Sequence, residues 1–147
     1  MHTILLVDDE KCVLDSLYRG LKKEPYDIIC AESGREALDI LAAQDVAVIL
    51  SDVKMPGMNG IEFLKRASEK SPHSVKMLLS GYSEFDLIVD AVNTANLWRY
   101  VPKPWNNDEL IMAINNGIQY YELSEERRQL VLALEKKNRE LEELNNS

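Results

Sequence analysis

The chain has 147 residues, 46% of them hydrophobic and 29% charged, with only six Gly and five Pro; this fits one compact domain with a modest extension and excludes a disordered or collagen-like chain. Seventeen basic against 25 acidic side chains give a net charge of -8, a poor balance for coating nucleic acid, which needs clustered Lys and Arg. An apolar run such as Val46 to Leu50 falls far short of the ~20 residues that span a bilayer.

Met1-His2-Thr3 leads straight into a strand-like run with no basic segment ahead of it, so the expected compartment is the cytoplasm. The first predicted strand, Thr3 to Val7, is followed at once by Asp8, Asp9 and Glu10. Val13, Leu14, Leu17, Tyr18 and Leu21 then form one helical stripe, and Asp27 to Ala31 reads as the second strand. Ala37, Leu38, Ile40 and Leu41 mark a second helix, and Val46 to Ser51 a third strand ending in Asp52. Ile61, Phe63, Leu64 and Ala67 mark a third helix, and Val75 to Leu79 a strand ending in Ser80. Phe85, Ile88, Ala91 and Val92 mark a fourth helix, and Trp98 to Val101 a strand running into Lys103-Pro104. The fifth helix begins near Asn107 or Asp108, both good N-caps, and continues through Leu110, Ile111, Ile114 and Ile118.

Five strand–helix units in strict alternation predict an α/β fold, a doubly wound five-stranded parallel sheet with an extended C-terminal helix. The first, third and fourth strands are almost wholly apolar, as strands covered on both faces should be. Ligands of such sheets lie beyond the carboxyl ends of the strands. Asp8, Asp9, Asp52, Ser80 and Lys103 all fall there. Crowded carboxylates need a counter-charge, and a hard divalent cation such as Mg²⁺, held by oxygen ligands, supplies it. Taken singly, an Asp pair after a strand is as often a helix cap, a lone Asp or Lys is solvated, and Ser80-Gly81 is a turn. Together, at the ends of four strands, they are hard to read as turns. Cys12 and Cys30 have no CxxC spacing and His2 and His73 no ligand-like neighbours, so neither a disulfide framework nor a zinc site is expected.

Over about residues 1–121 the sequence resembles the receiver domain of two-component response regulators. The residues that carry this are Ile4-Leu5-Leu6-Val7-Asp8-Asp9-Glu10, Ser51-Asp52-Val53-Lys54-Met55-Pro56-Gly57-Met58-Asn59-Gly60, Leu79-Ser80-Gly81-Tyr82 and Tyr100-Val101-Pro102-Lys103-Pro104-Trp105. The resemblance implies flavodoxin-like strand order 2-1-3-4-5, with Asp52 accepting a phosphoryl group from a cognate histidine kinase or phosphotransfer protein. It implies Mg²⁺ bound by Asp9, Asp52 and the main-chain carbonyl of Lys54, with Asp8 acting through a water. Lys103 and Ser80 would meet phosphoryl oxygens, and Tyr100 would be an aromatic switch whose plainer reading is packing. Lys103-Pro104 corresponds to a cis peptide bond in the family, and Pro102, lacking an N–H, suits an edge strand. Lys54 and Tyr82 flank the approach of a hydrolytic water, and both are long or bulky, so slow self-dephosphorylation is expected.

The pattern departs from the commonest form in two places. Asn93-Thr94-Ala95-Asn96-Leu97-Trp98-Arg99 replaces the usual Gly-Ala turn before the fifth strand, as in receivers attached to phosphodiesterase, phosphatase or kinase effectors. No DNA-binding helix follows; residues 122–147 read as a helical extension. Positions 123, 127, 130, 134, 137, 141 and 144 keep coiled-coil spacing, with Leu at five and Arg127 and Lys137 interrupting. This predicts a parallel homodimer passing a signal to a downstream effector domain, folding back onto the receiver being the alternative. The chain is expected not to be an enzyme beyond turnover at its own Asp52. The rivals are an Asp-nucleophile phosphohydrolase, disfavoured because Glu10 stands where a second Asp is usual, and a phosphate-independent scaffold, which has no use for buried carboxylates.

Overall fold

The computed structural model describes residues 1–145; Asn146 and Ser147, the end of the expected extension, lie outside them. The elements follow the order β1 (His2–Val7), α1 (Lys11–Leu21), β2 (Tyr26–Ala31), α2 (Gly34–Ala43), β3 (Val48–Asp52), α3 (Gly60–Lys70), β4 (Val75–Ser80), a 3-10 turn (Tyr82–Glu84), α4 (Phe85–Thr94), β5 (Arg99–Pro102) and α5 (Asn107–Asn145). All pairings are parallel and the strand order is β2-β1-β3-β4-β5, as the resemblance implied.

Alternation along the strands divides the core into two layers. Leu5, Val7, Ile49 and Leu78 face Leu38, Phe63, Leu64 and Ile88 of α2, α3 and α4. Ile4, Leu6, Leu50, Met77 and Leu79 face Leu14 and Leu17 of α1 and Leu110 and Ile114 of α5. Gly117 brings α5 close to the sheet, since a Cβ there would lie 3.2 Å from a Val48 methyl.

Boundaries differ from expectation in instructive places. The cap of α5 is neither Asn107 nor Asp108: the Asn106 side chain accepts the N–H groups of Asp108 at 2.8 Å and Glu109 at 3.2 Å. Strand β3 begins at Val48, not Val46, although Ala47 still bonds to Thr3 and Val75. In the loop before β5, Asn96 holds φ at 55°, a left-handed conformation that Asn tolerates better than other side chains; it does there what a glycine turn does elsewhere.

Lys76 is the exception within the core. It is 3% exposed, and its Nζ donates to the carbonyls of Ser74 at 2.8 Å and Ser71 at 3.4 Å. Burial pushes its ammonium down from 10.5 to about 8, because a buried charge forfeits hydration. Between those values the unfolded chain binds more protons than the folded one, so stability rises with pH through that window. Relative to Lys76→Met, which lacks this titration, the wild type should gain on the order of 2–3 kcal/mol between about pH 7.5 and 10.5. Urea unfolding at the two pH values measures the gain; a constant difference refutes the buried ammonium.

Candidate functional site

The strand order makes the site. Adjacent β1 and β3 deliver Asp8, Asp9 and Asp52 to one end of the sheet; β4 delivers Ser80, and edge strand β5 runs into Lys103. Carboxylate oxygens of Asp8, Asp9 and Asp52 lie within 4.8 Å of one another. Asp8 and Asp52 are buried and Asp9 is exposed. Asp52 Oδ1 accepts from Lys103 Nζ at 2.6 Å and from the Val53 N–H at 3.0 Å. Close packing steadies the backbone here: a Cβ at Gly60 would lie 2.0 Å from the Asp52 carbonyl oxygen, and the Gly60 N–H donates to the Val53 carbonyl at 2.8 Å. The Pro56-Gly57 turn beside it uses a φ of 79° at Gly57.

Burial, the largest influence, pushes Asp8 up to about 6. The Glu10 N–H, 2.9 Å from its Oδ1, opposes this; Asp52 and Asp9 add to it, and Lys103 offsets them. Burial would by itself lower the Lys103 ammonium, but the hydrogen bond to Asp52 and the charges of Asp52, Asp8 and Glu84 hold it above the ordinary lysine value.

The donor set fits a hard divalent cation. It is all oxygen, and the buried Asp8 Oδ2 has no hydrogen-bond partner among the described residues, an acceptor of the kind that a cation or its water shell satisfies.

The other anticipated residues are not in hydrogen-bond contact with the three acids among the described residues. Ser80 Oγ donates to the Gly81 carbonyl at 3.1 Å. Tyr100 is half-exposed and lines, with Ser80, Phe85, Ile88 and Lys103, a cavity of about 560 Å³ beside the acids. Lys54 and Tyr82 are both exposed, Tyr82 fully. The Lys103–Pro104 peptide bond is cis. One residue was not anticipated: Glu84, four places after Ser80, is only 7% exposed. The G-x-x-E spacing from Gly81 to Glu84, a helix-start pattern, was the available signal.

The response regulator receiver domain family model matches residues 4–115. This chain belongs to the receiver family. It is 38% identical over 124 residues to a hydrogenase transcriptional regulatory protein, HoxA, of Bradyrhizobium diazoefficiens, covering 84% of this chain and 25% of that one. A HoxA of Cupriavidus necator is 38% identical over 132 residues, covering 90% and 27%. The chain therefore spans about a quarter of the length of these curated relatives. Among solved structures, an adenylate cyclase of Rhodopirellula baltica superposes with TM-score 0.84 at 35% identity, covering 88% of this chain and 96% of that chain. The receiver domain of an HD domain-containing protein of Pseudomonas fluorescens Pf-5 superposes with TM-score 0.82 at 32% identity, covering 86% and 93%. No helix of the described residues is long and apolar enough to cross a membrane.

Proposed function

We propose that this receiver takes a phosphoryl group onto Asp52 from a histidine kinase or phosphotransfer protein in the cytoplasm. The observation that carries the reading is the 2.6 Å contact of Lys103 Nζ with Asp52, inside the cluster of three carboxylates. A carboxylate oxygen of Asp52 attacks phosphorus; the new P–O bond forms an acyl phosphate, while the bond to the donor breaks and the donor's leaving group keeps the electron pair. Asp9, Asp52 and the Lys54 carbonyl would hold Mg²⁺ directly and Asp8 through a water, and the ion would neutralise charge on the phosphoryl oxygens. Lys103 stays paired with the site throughout, and Ser80 turns from the Gly81 carbonyl toward a phosphoryl oxygen as Tyr100 moves inward. With Mg²⁺ and acetyl phosphate, intact mass should show one added phosphoryl group, absent in Asp52→Asn. Lys103→Ala should keep its Mg²⁺ affinity by calorimetry and lose about tenfold or more in transfer rate. Unchanged incorporation in Asp52→Asn sinks the assignment.

Lys54 and Tyr82 are exposed, and by the resemblance they would flank and crowd the path of a water attacking the acyl phosphate. Slow decay follows. Lys54→Asn and Tyr82→Ala should each shorten the phosphoprotein's half-life severalfold, by about 3–10 times, as freer water access removes part of the barrier; an unaltered half-life removes the shielding role.

Output leaves through the α4–β5–α5 face, where Phe85, Val92, Tyr100 and Met112 are exposed, and through the tail. We assign residues 1–121 to the receiver and 122–147 to a coiled-coil extension leading to an effector domain, with no direct contact to nucleic acid. Helix α5 is unbroken to Asn145 and every residue from 129 to 145 is exposed, so nothing supports folding back. Leu123, Leu130, Leu134, Leu141 and Leu144 leave an apolar seam in water, and such a seam calls for a second helix. Light scattering at tens of micromolar should give a dimer mass, falling to monomer when the chain is cut after Glu122. A monomeric full chain, with and without acetyl phosphate, refutes the seam.

A further inference from the structure

Glu84 is a buried carboxylate that phosphoryl transfer does not use. It closes the 3-10 turn between β4 and α4. Its Oε1 accepts the Gly81 N–H at 2.6 Å, a short, charge-assisted bond. Its Oε2 is buried without a hydrogen-bond partner among the described residues. The fit depends on glycine: a Cβ at residue 81 would lie 2.9 Å from Oε1.

A turn cap accounts for the first bond alone. A capping carboxylate ordinarily keeps its second oxygen in water, and burying that oxygen unpaired costs free energy. Glu84 is also the last of the carboxylates, after Asp52 and Asp8, whose charge acts on the Lys103 ammonium. Ser80 donates to the carbonyl of the same Gly81 whose N–H is held by Glu84. Both polar groups of Gly81 are therefore fastened in this state, the carbonyl by Ser80 and the N–H by Glu84, and Ser80 gives up the first of these bonds when it turns toward Asp52.

We propose that Glu84 is a carboxylate latch that holds the β4–α4 connection at rest and swings into solvent when Asp52 carries a phosphoryl group. The inference rests on Asp52 as the phosphoacceptor. A phosphoryl group adds about 1.5–2 negative charges at pH 7. Lys103 stays paired at the site, and the buried Glu84 carboxylate, whose Oε2 already lacks a hydrogen-bond partner among the described residues, gains a like-charged neighbour. Hydration of both oxygens then outweighs the single bond to Gly81. Coupling of this kind is reciprocal: if the phosphoryl group expels Glu84, removing Glu84 must favour the phosphoryl-bound state.

Beryllium trifluoride with Mg²⁺ serves as an equilibrium mimic of the phosphoryl group, and its affinity for the full chain is measured by amide NMR. Glu84→Ala should bind it roughly tenfold more tightly and Glu84→Gln roughly threefold, since a neutral acceptor holds the Gly81 N–H about half as strongly as an ionised one. Gly81→Ala, which displaces the carboxylate and leaves its charge in the chain, should also tighten binding. The Gly81 amide proton, which the 2.6 Å bond should hold far downfield in the wild type, should move upfield in Glu84→Ala and, in the wild type, on adding the mimic. Wild-type affinity in all three variants, or a Gly81 resonance that the mimic leaves in place, overturns the latch; loss of binding in Asp52→Asn shows in that case that the phosphoacceptor reading stands. A wild-type chain that binds no mimic at all overturns both.

Discussion

Three carboxylates drawn to within 4.8 Å would push apart the loops that carry them were it not for the ammonium of Lys103, 2.6 Å from Asp52. At roughly 332/(εr) kcal/mol, like charges at this range repel by several kcal/mol where water is partly excluded. The pairing also ties the carboxyl end of central β3 to the loop beyond edge strand β5, across the whole width of β4. Beneath this point β3 and β4 are buried along their full length and are apolar apart from Ser51 and from Lys76, whose ammonium rests on the carbonyls of Ser74 and Ser71. The crowded carboxylates are kept at one rim, where the proposed cation and phosphoryl group would act on them.

This division explains what could be read from the chain and what could not. Strands buried on both faces announce themselves as apolar runs, and the residue that follows each run stands at the rim. Asp8, Asp9, Asp52, Ser80 and Lys103 were therefore legible from position alone. Burial that depends on a neighbour's missing side chain was not. Nothing local to Glu84 tells that it is buried, with its Oε1 only 2.9 Å from where a Cβ at residue 81 would stand. Lys76 interrupts a strand otherwise read as apolar, and no pattern around it tells that its ammonium is buried against main-chain carbonyls. The start of α5 was blurred for a different reason: Asn106, Asn107 and Asp108 are all competent caps, and tertiary packing chooses among them.

Contacts between the chain's ends were equally silent. His2 Nε2 lies 2.7 Å from a Glu122 oxygen, and its ring sits 5.7 Å from that of Tyr121. Trp98 and Tyr120 pack with ring centroids 5.7 Å apart, and Tyr26 Oη donates to Asn115. No local pattern joins residues 120 positions apart. Exposed pairs of this sort contribute little singly, but together with Gly117 against Val48 they bind the last buried turns of α5 to three different strands.

That binding constrains how a change at the rim could reach the tail. From Ile118 to Asn145 the helix runs about 40 Å at 1.5 Å per residue without a glycine or proline to absorb a bend. A helix so anchored transmits rotation of its base in preference to local fraying, because its buried stripe, Leu110, Ala113, Ile114, Gly117 and Ile118, must move as one packed surface. The loop from Lys103 to Asn106 is the link: Lys103 is held to Asp52 and Asn106 caps the helix. Only two residues, Pro104 and Trp105, thus separate the side chain that meets the carboxylates from the one that fixes the start of α5. Under the proposed phosphorylation, a shift of Lys103 toward the enlarged negative charge would act on the helix start through this short loop, and a small turn there would be carried along the exposed Leu stripe.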